Sequence, residues 1–355
     1  MRRTAALIIG GGPAGASAAI ALARGGAMPV LIERSAGERD LVCGGFLGWD
    51  ALGALNRLGL DPAALGARPI HRLRLASRGR IVEADLPRAA AGLSRRRLDA
   101  SLLAKAEEAG AVVLRGRAAR AIEDGRVRLD DGEEMSADAL FLATGKHELR
   151  GSARDIGTRA VSVGLRAALP PTPALAKALA GTIELHLYDG GYAGLLLQED
   201  GTANLCLSVA RERMTAGPEA LLAELVEESP LLGERIGGAP PGQWEAIAGV
   251  PYGWRALSGE LGLFRIGDQA AVIASLAGDG IAVALASGAA AAHACLHGDG
   301  AQAYQHAFAA RARRPLAIAE ALRHMAENPL RRRLMMGLAG VPGLAKMAAR
   351  LTRIG

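Results

Sequence analysis

The first apolar run, residues 5–9, is continuous, which predicts a parallel strand covered on both faces. Gly10-Gly11-Gly12-Pro13-Ala14-Gly15 follows at once, then an alanine-rich helical stretch over residues 16–26. A second short run, residues 29–32, ends on Glu33. Residues 72–77 and 80–86 alternate apolar and polar positions around a turn, predicting a hairpin. Residues 93–108 read as a helix and 111–114 as a strand, and residues 127–129 and 134–140 flank Asp131-Gly132, another hairpin signal. In mid-chain, Ile183, Leu185 and Leu187 fall on one face of a strand and Glu184, His186 and Tyr188 on the other. Gly190-Gly191 and Asp200-Gly201 then turn the chain into strands over 192–197 and 203–209. Two more apolar strands end in Ala143-Thr144-Gly145 and in Gly267-Asp268, and Gly278-Asp279-Gly280 opens a long alanine-rich helix.

The opening pattern is strand, G-x-G-x-x-G, helix, strand and acid within about thirty residues, the context a dinucleotide fingerprint requires. Gly10 permits the tight turn, Gly12 lets backbone approach a pyrophosphate, and Gly15 lets helix and strand lie close. The helix N-terminus, at Pro13 and Ala14, faces the phosphates, and Glu33 accepts hydrogen bonds from a ribose. A carboxylate there repels a 2′-phosphate, so NADP is not the occupant expected of this fingerprint. The two later, widely spaced strand ends distinguish FAD from NAD. Asp268 can hydrogen-bond a ribityl hydroxyl, and the helix after Gly280 directs N–H groups at a flavin ring.

These residues, together with Cys43-Gly44-Gly45 and Arg95 with Leu98-Asp99 and Leu102, occur in an order and spacing that covers residues 5–300. The chain thereby resembles the FAD enzymes related to geranylgeranyl reductases and to the para-hydroxybenzoate hydroxylase class of monooxygenases. The resemblance implies that Arg95 and Asp268 contact FAD, that Cys43 sits near the flavin, and that the ring lies between residues 43–46 and 278–281, Ile281 included. Gly44, Gly267, Gly278 and Arg34, next to Glu33, complete the expected cofactor residues. Two departures leave the reaction type open. Ala274-Ser275-Leu276 stands where the hydroxylases carry Pro, and the aromatic–Phe-Pro-Lys stretch of the geranylgeranyl reductases is missing.

The expected architecture is α/β: a Rossmann-like FAD-binding domain split in sequence (residues 1–154 and 260–310). A β-rich substrate domain is inserted at 155–259, joined by a hairpin at 70–90, and helices follow in a C-terminal tail at 311–355. The chain has 355 residues, 50% of them hydrophobic and 22% charged, which excludes disorder and coiled coil. Its net charge of +6 is a property of the tail, where ten Arg/Lys face two Asp/Glu. The body is close to neutral, so no nucleic-acid partner is expected. Three distant cysteines and no close His/Cys spacing predict a reduced, cytoplasmic setting and no metal. The apolar stretch after Arg2-Arg3 is broken by Gly10-Gly11-Gly12-Pro13 and is not read as a secretory signal. The run at 281–296 is interrupted by Ser287, Gly288 and His293 and reads as a buried helix.

Only 11 residues are aromatic. Seven of them, Trp244 and the six named next, fall in the loop after Cys43, in the middle sheet and before the Gly-Asp strand. Phe46, Trp49, Tyr188, Tyr192, Tyr252 and Trp254 are therefore expected to line a cavity for a hydrophobic, flat or polyene-like molecule. Cys43, His186 and Tyr192 are the candidate catalytic residues, the last two as proton donors; Cys206 and Cys295 read as core. The tail, Arg-rich with apolar positions at Leu334, Leu344, Met347 and Leu351, reads as short helices broken at Pro315, Pro329 and Pro342. Its basic amphipathic pattern suits either a helical cap whose charges are simply solvated or a surface for an anionic membrane or an acyl carrier, a peripheral placement. The reading as a whole is an FAD oxidoreductase, reduced by transiently bound NAD(P)H, that passes hydride to a double bond. Hydroxylation of an aromatic or polyketide-like substrate, redox-neutral cyclisation and a bare electron-transfer module are the alternatives.

Overall fold

The computed structural model describes residues 2–237 and 241–354, and two sheets organise it. In the first sheet Arg2–Ile9 lies between Val30–Glu33 and Glu134–Leu142, parallel to both, with Val112–Arg115 beyond Val30–Glu33. Leu263–Arg265, over a hundred residues later, adds in parallel beside Leu140, Phe141 and Leu142. Chain from both sides of the mid-chain insertion thus completes one doubly wound sheet. The continuous apolar runs are explained by this placement, because both faces are covered: Ile8, Leu31 and Phe141 are buried against helices, and Leu7 on the other face against Met135 and against Val127 and Leu129 of the antiparallel edge. The antiparallel strands Ala119–Glu123 and Arg126–Leu129 extend the edge.

The second sheet has eight strands and is mostly antiparallel. Ser162–Leu169, Ala203–Ala210, Gly191–Leu197 and Gly181–Tyr188 are neighbours in that order. The hairpin Arg68–Ser77 and Arg80–Gly92 joins them because Arg68–Ser77 runs parallel to Gly181–Tyr188.

Helix Pro13–Arg24 and helix Gly280–His297 cross at closest approach: a Cβ on Gly288 would stand 2.2 Å from the Ala14 carbonyl oxygen. Gly280–His297 is long and apolar enough to cross a membrane, yet its Ile281, Val283, Leu285 and Ala291 are buried in this core. The aromatics of the nucleotide domain form one stack there, Phe141 on Phe264 (4.7 Å), Phe264 on Tyr304 (5.8 Å) and Tyr304 on Phe308 (5.9 Å).

The tail differs from the sequence expectation at its first break. Pro315 lies inside a single helix, Gly300–Glu327, where it is buried with Leu316 and Ala319. Packing on the first domain outweighs the one backbone hydrogen bond that proline removes. Pro329 does start a new helix, Pro329–Ala339, capped by Asn328, whose side chain accepts from Leu330 N and Arg331 N. After Pro342 the last helix, Leu344–Leu351, lies against the strand Arg80–Gly92.

Candidate functional site

A cavity of about 890 Å³ runs from the glycine turn, between the two sheets, to the last two helices. At one end stand Gly10, Gly12, Pro13 and Ala14, with Glu33 beside them. Glu33 is fixed by accepting from Gly11 N (2.8 Å) and Ser35 N (2.7 Å). Gly10 needs its φ of +109°, and a Cβ there would lie 2.4 Å from the Ala143 carbonyl oxygen. Gly15 does not line the cavity; a Cβ on it would strike the Gly10 carbonyl oxygen at 1.9 Å. Its role is to close the strand onto the helix. Arg95 stands across from Gly12 and is held by Asp99 through two bonds, Nε to Oδ1 (2.8 Å) and Nη2 to Oδ2 (2.7 Å). Although burial opposes it, the Asp99 carboxylate and the Cys43 sulfur raise the guanidinium pKa, so Arg95 stays charged.

Further in, Cys43, Gly44, Gly280 and Ile281 line the cavity, and the Phe46 ring packs directly on Gly278, where an added Cβ would lie 2.8 Å from its Cδ1. The Cys43 loop is pinned by the second sheet. Asn204 Nδ2 donates to the Cys43 carbonyl (2.9 Å), and buried Arg166 ties Asn204 Oδ1 (2.8 Å) to Asp40 Oδ2 (2.9 Å). Gly267 N donates to Ser287 Oγ (2.8 Å), and Asp268 pairs with Lys146 at 3.3 Å. The Asp268 charge, against burial, raises the Lys146 pKa. Arg154 holds this corner by donating to the carbonyls of Asp268 and Lys146, both at 3.0 Å.

The arrangement fits FAD. The glycine turn and helix N-terminus suit a pyrophosphate, Glu33 a ribose, and Arg95 and Lys146 supply positive charge along the same groove. Added Cβ atoms at Gly44 and Gly280 would meet nothing within 4 Å, which leaves an open slot between these two segments for a flat ring. Arg34 and the remaining residues expected at the cofactor all line the cavity except Gly15.

Beyond the ring slot the walls are apolar: Leu73, Leu75, Ile183 and Leu185 from the second sheet, Met335 and Leu344 from the last two helices. Tyr192, Tyr252 and Ser275 interrupt them. Both phenol oxygens lie 2.6 Å from Ser275 Oγ, and Tyr252 also meets Ser208 Oγ at 3.2 Å. Burial raises the pKa of both phenols, so each keeps its proton.

Five expectations are corrected here. His186 is on the far face of the sheet, with Nδ1 3.1 Å from Ser229 Oγ and Nε2 3.4 Å from Glu184 Oε2. It does not reach the cavity and holds a buried charge cluster instead. Tyr188 is on that same far face, its hydroxyl donating to the carbonyls of Tyr192 and Ser208. Trp254 donates to the Asp155 carbonyl (2.9 Å) and stacks under Arg154, so it braces the Lys146–Asp268 corner from behind. Trp49 lies under Arg353, 4.3 Å from its guanidinium carbon, and does not line the cavity. Cys206, read from sequence as core, is a cavity residue whose thiol is pushed up to about 12 by burial.

Lys146, Ser275, Arg166 and Asn204 were not anticipated. Lys146 had a signal, a cation directly after Ala143-Thr144-Gly145, and so had Ser275, a lone hydroxyl in an apolar run. Arg166 and Asn204 had none, since only the folded sheet brings them to residue 43. Among the described residues no cluster of metal ligands occurs.

Residues 3–152 match the FAD binding domain family. The menaquinone reductase of Mycobacterium tuberculosis is 29% identical over 305 residues, 79% of this chain and 74% of that protein. A chloroplastic geranylgeranyl diphosphate reductase of Oryza sativa is 37% identical over 121 residues, 32% of this chain and 25% of that protein. Among solved structures, the flavin-dependent brominase Bmp2 superposes with a TM-score of 0.78 at 18% identity, covering 99% of this chain and 93% of its own.

Proposed function

We propose that the chain, whose residues 3–152 match the FAD binding domain family, is an FAD-dependent oxidoreductase that reduces a carbon–carbon double bond of a hydrophobic, polyene-like molecule. The carrying observation is the Tyr192–Ser275–Tyr252 chain set in an otherwise apolar cavity. Reducing such a bond needs a hydride on one carbon and a proton on the other. When bound, FAD reduced by NAD(P)H supplies the hydride. Tyr192 gives the proton, and Ser275 passes one on from Tyr252, so Tyr192 is restored while the cavity is closed; Tyr252 then regains its proton from solvent when product leaves. Arg95 and Lys146 hold the anionic parts of the cofactor, and the apolar walls align the substrate chain along the ring slot. The relative named menaquinone reductase fits this reading, because menaquinone carries a flat ring and an unsaturated chain.

The test is product mass. Holoenzyme reduced anaerobically with NADPH is mixed with a short-chain prenylated naphthoquinone and the product is analysed with and without oxygen. The reading expects a product heavier by two hydrogens on the chain, formed equally well without oxygen. A product that gains an oxygen atom only in air replaces it with hydroxylation. One of unchanged mass but new ring structure replaces it with cyclisation.

A further inference from the structure

The helix Pro329–Ala339 is built inside out. Its buried positions include Arg332, whose Nη1 donates to the Ala326 carbonyl (3.1 Å) and whose Nη2 pairs with Asp189. Its outer positions are leucines: Leu330 is 74% exposed, Leu334 60% and Leu338 42%. These recur every fourth residue and so form one stripe. Val341 and Met347 in the following segment are exposed too. An ordinary surface helix turns its leucines inward, and a contiguous exposed apolar stripe marks a contact surface.

The charge around the stripe is of one sign. Residues 329–355 contain six Arg/Lys and no Asp/Glu. Arg332 and Arg353 are buried in ion pairs, and Lys346 reaches Asp85 at 3.7 Å. Arg331, Arg333 and Arg350 are exposed and, among the described residues, meet no carboxylate. The opposite, inner side of the same two helices presents Met335, Ala339, Ala345 and Ala348 to the cavity, and the exposed Leu338 and Met347 also border it, so they stand where cavity and outer surface meet. One thin layer of chain therefore separates an apolar cavity from an apolar, cationic outer surface.

We propose that the outer surface of residues 329–350 seats on an anionic lipid bilayer, and that the cavity draws its hydrophobic substrate from the lipid phase through this two-helix lid. The leucine stripe enters the acyl boundary while Arg331, Arg333 and Arg350 meet lipid phosphates. A bilayer fits better than a second copy of the chain, because a two-fold contact would set these unpaired cations against each other. It fits better than an acyl carrier, because a single acidic helix would leave much of the leucine stripe in water.

The proposal is tested by sedimentation with vesicles of phosphatidylcholine alone and of an equal mixture with phosphatidylglycerol. The holoenzyme is expected to sediment with the anionic vesicles, to stay in solution with the neutral ones, and to be released by added salt. Leu330→Asp/Leu334→Asp is expected to weaken binding at least about tenfold, and so is Arg331→Glu/Arg333→Glu. Both pairs point away from the cavity, so FAD content and turnover of a short-chain, water-dispersed substrate stay as in the parent. Should the leucine variant fold poorly, the charge variant and the salt dependence decide alone. Failure to sediment overturns the proposal. So does a concentration-dependent dimer that the leucine variant disperses, or capture of an acyl carrier without vesicle binding. The assay reads neither flavin nor product, so its failure is separate from failure of the reductase reading.

Discussion

Arg353 and Asp279 close the cavity from its far end. Arg353 Nη1 lies 2.7 Å from Asp279 Oδ1 and also donates to the Gly278 carbonyl (3.2 Å), while Ile354 N donates to Asp279 Oδ2 (3.0 Å). Asp279 is the residue immediately before the helix whose first turn faces the ring slot, and burial lifts its pKa to about 6 in spite of the guanidinium. The end of the lid is thus bolted to Gly278 and Asp279, in the segment whose Gly278 and Gly280 line the cofactor slot.

Breaking that bolt should loosen the lid before it unfolds the domain. Arg353→Ala leaves Asp279 buried without its cation and removes the stacking on Trp49. The expected cost is about 3 kcal/mol, the lower end for a buried pair losing one partner. Hydrogen exchange should rise first in residues 344–354, with a change in Trp49 fluorescence. Unchanged protection there would show that the helix is held by its packing on the strand Arg80–Gly92 and not by the bolt.

Two glycines separate fold from cofactor space. Gly288→Ala must push the helices Pro13–Arg24 and Gly280–His297 apart, because its Cβ would sit 2.2 Å from the Ala14 carbonyl oxygen. Overpacking of this kind costs typically about 1–3 kcal/mol, and the backbone position of the clash puts this case at the upper end. Gly280→Ala meets no protein atom within 4 Å and should leave the melting temperature of the FAD-free chain as it was. It should weaken FAD, since its methyl group enters the slot. Melting curves and flavin titration of the two variants check this, and equal FAD affinity in Gly280→Ala would move the ring elsewhere.

Much of this was legible in sequence, and what was missed has a physical reason. The parallel strands and the glycine turn declare themselves because burial on both faces demands unbroken apolar runs and the turn demands glycine. The two faces of the strand Gly181–Tyr188 are also separable in sequence, but the face carrying His186 and Tyr188, expected at the cavity, lies on the opposite side. The register decides it. The turn at Asp189-Gly190 pairs Tyr188 with Gly191 and Leu187 with Tyr192, and paired residues share a face. Tyr192 therefore faces the cavity with Leu185 and Leu187, and Tyr188 and His186 cannot. The cavity reading of the aromatics failed for Trp49 and Trp254 for a different reason. Each supports a cationic side chain, Arg353 or Arg154, through contacts that no local pattern records.

The proton route can be tested apart from hydride supply. Tyr192→Phe keeps the ring's packing and removes only the hydroxyl at the cavity end of the chain. Product formation should fall by about two to four powers of ten, the usual contribution of a positioned acid. Flavin reduction by NADPH should keep its rate. Ser275→Ala breaks the link to Tyr252 but leaves the Tyr192 proton in place, so a single turnover should survive better than steady-state turnover. Rapid-mixing measurements of the two half-reactions distinguish the variants. Equal slowing of flavin reduction in Tyr192→Phe would assign the tyrosine to donor binding.

The charge cluster behind the sheet makes a prediction about acid. Glu184 is fully buried and paired with Arg74 and Arg235, with His186 Nε2 at 3.4 Å. Burial opposes its ionisation, yet the hydrogen bonds and charge of Arg235, with the His186 ring beside it, outweigh that and hold its pKa down to about 2. In the unfolded chain the same carboxyl titrates near 4.5. Between those values the unfolded state binds the proton more readily than the folded one. The stabilisation is therefore complete above 4.5 and fades as the pH falls towards 2. The amount at stake is on the order of 3 kcal/mol. Glu184→Gln leaves Arg74 and Arg235 facing a neutral amide, so it should be less stable than the parent at neutral pH. The gap should narrow as the medium is acidified. Urea unfolding followed from neutral pH to about 3 checks both the sign and the window. A gap that stays constant with pH would show that the arginines, and not the carboxylate charge, hold the helix Pro230–Ile236 onto the sheet.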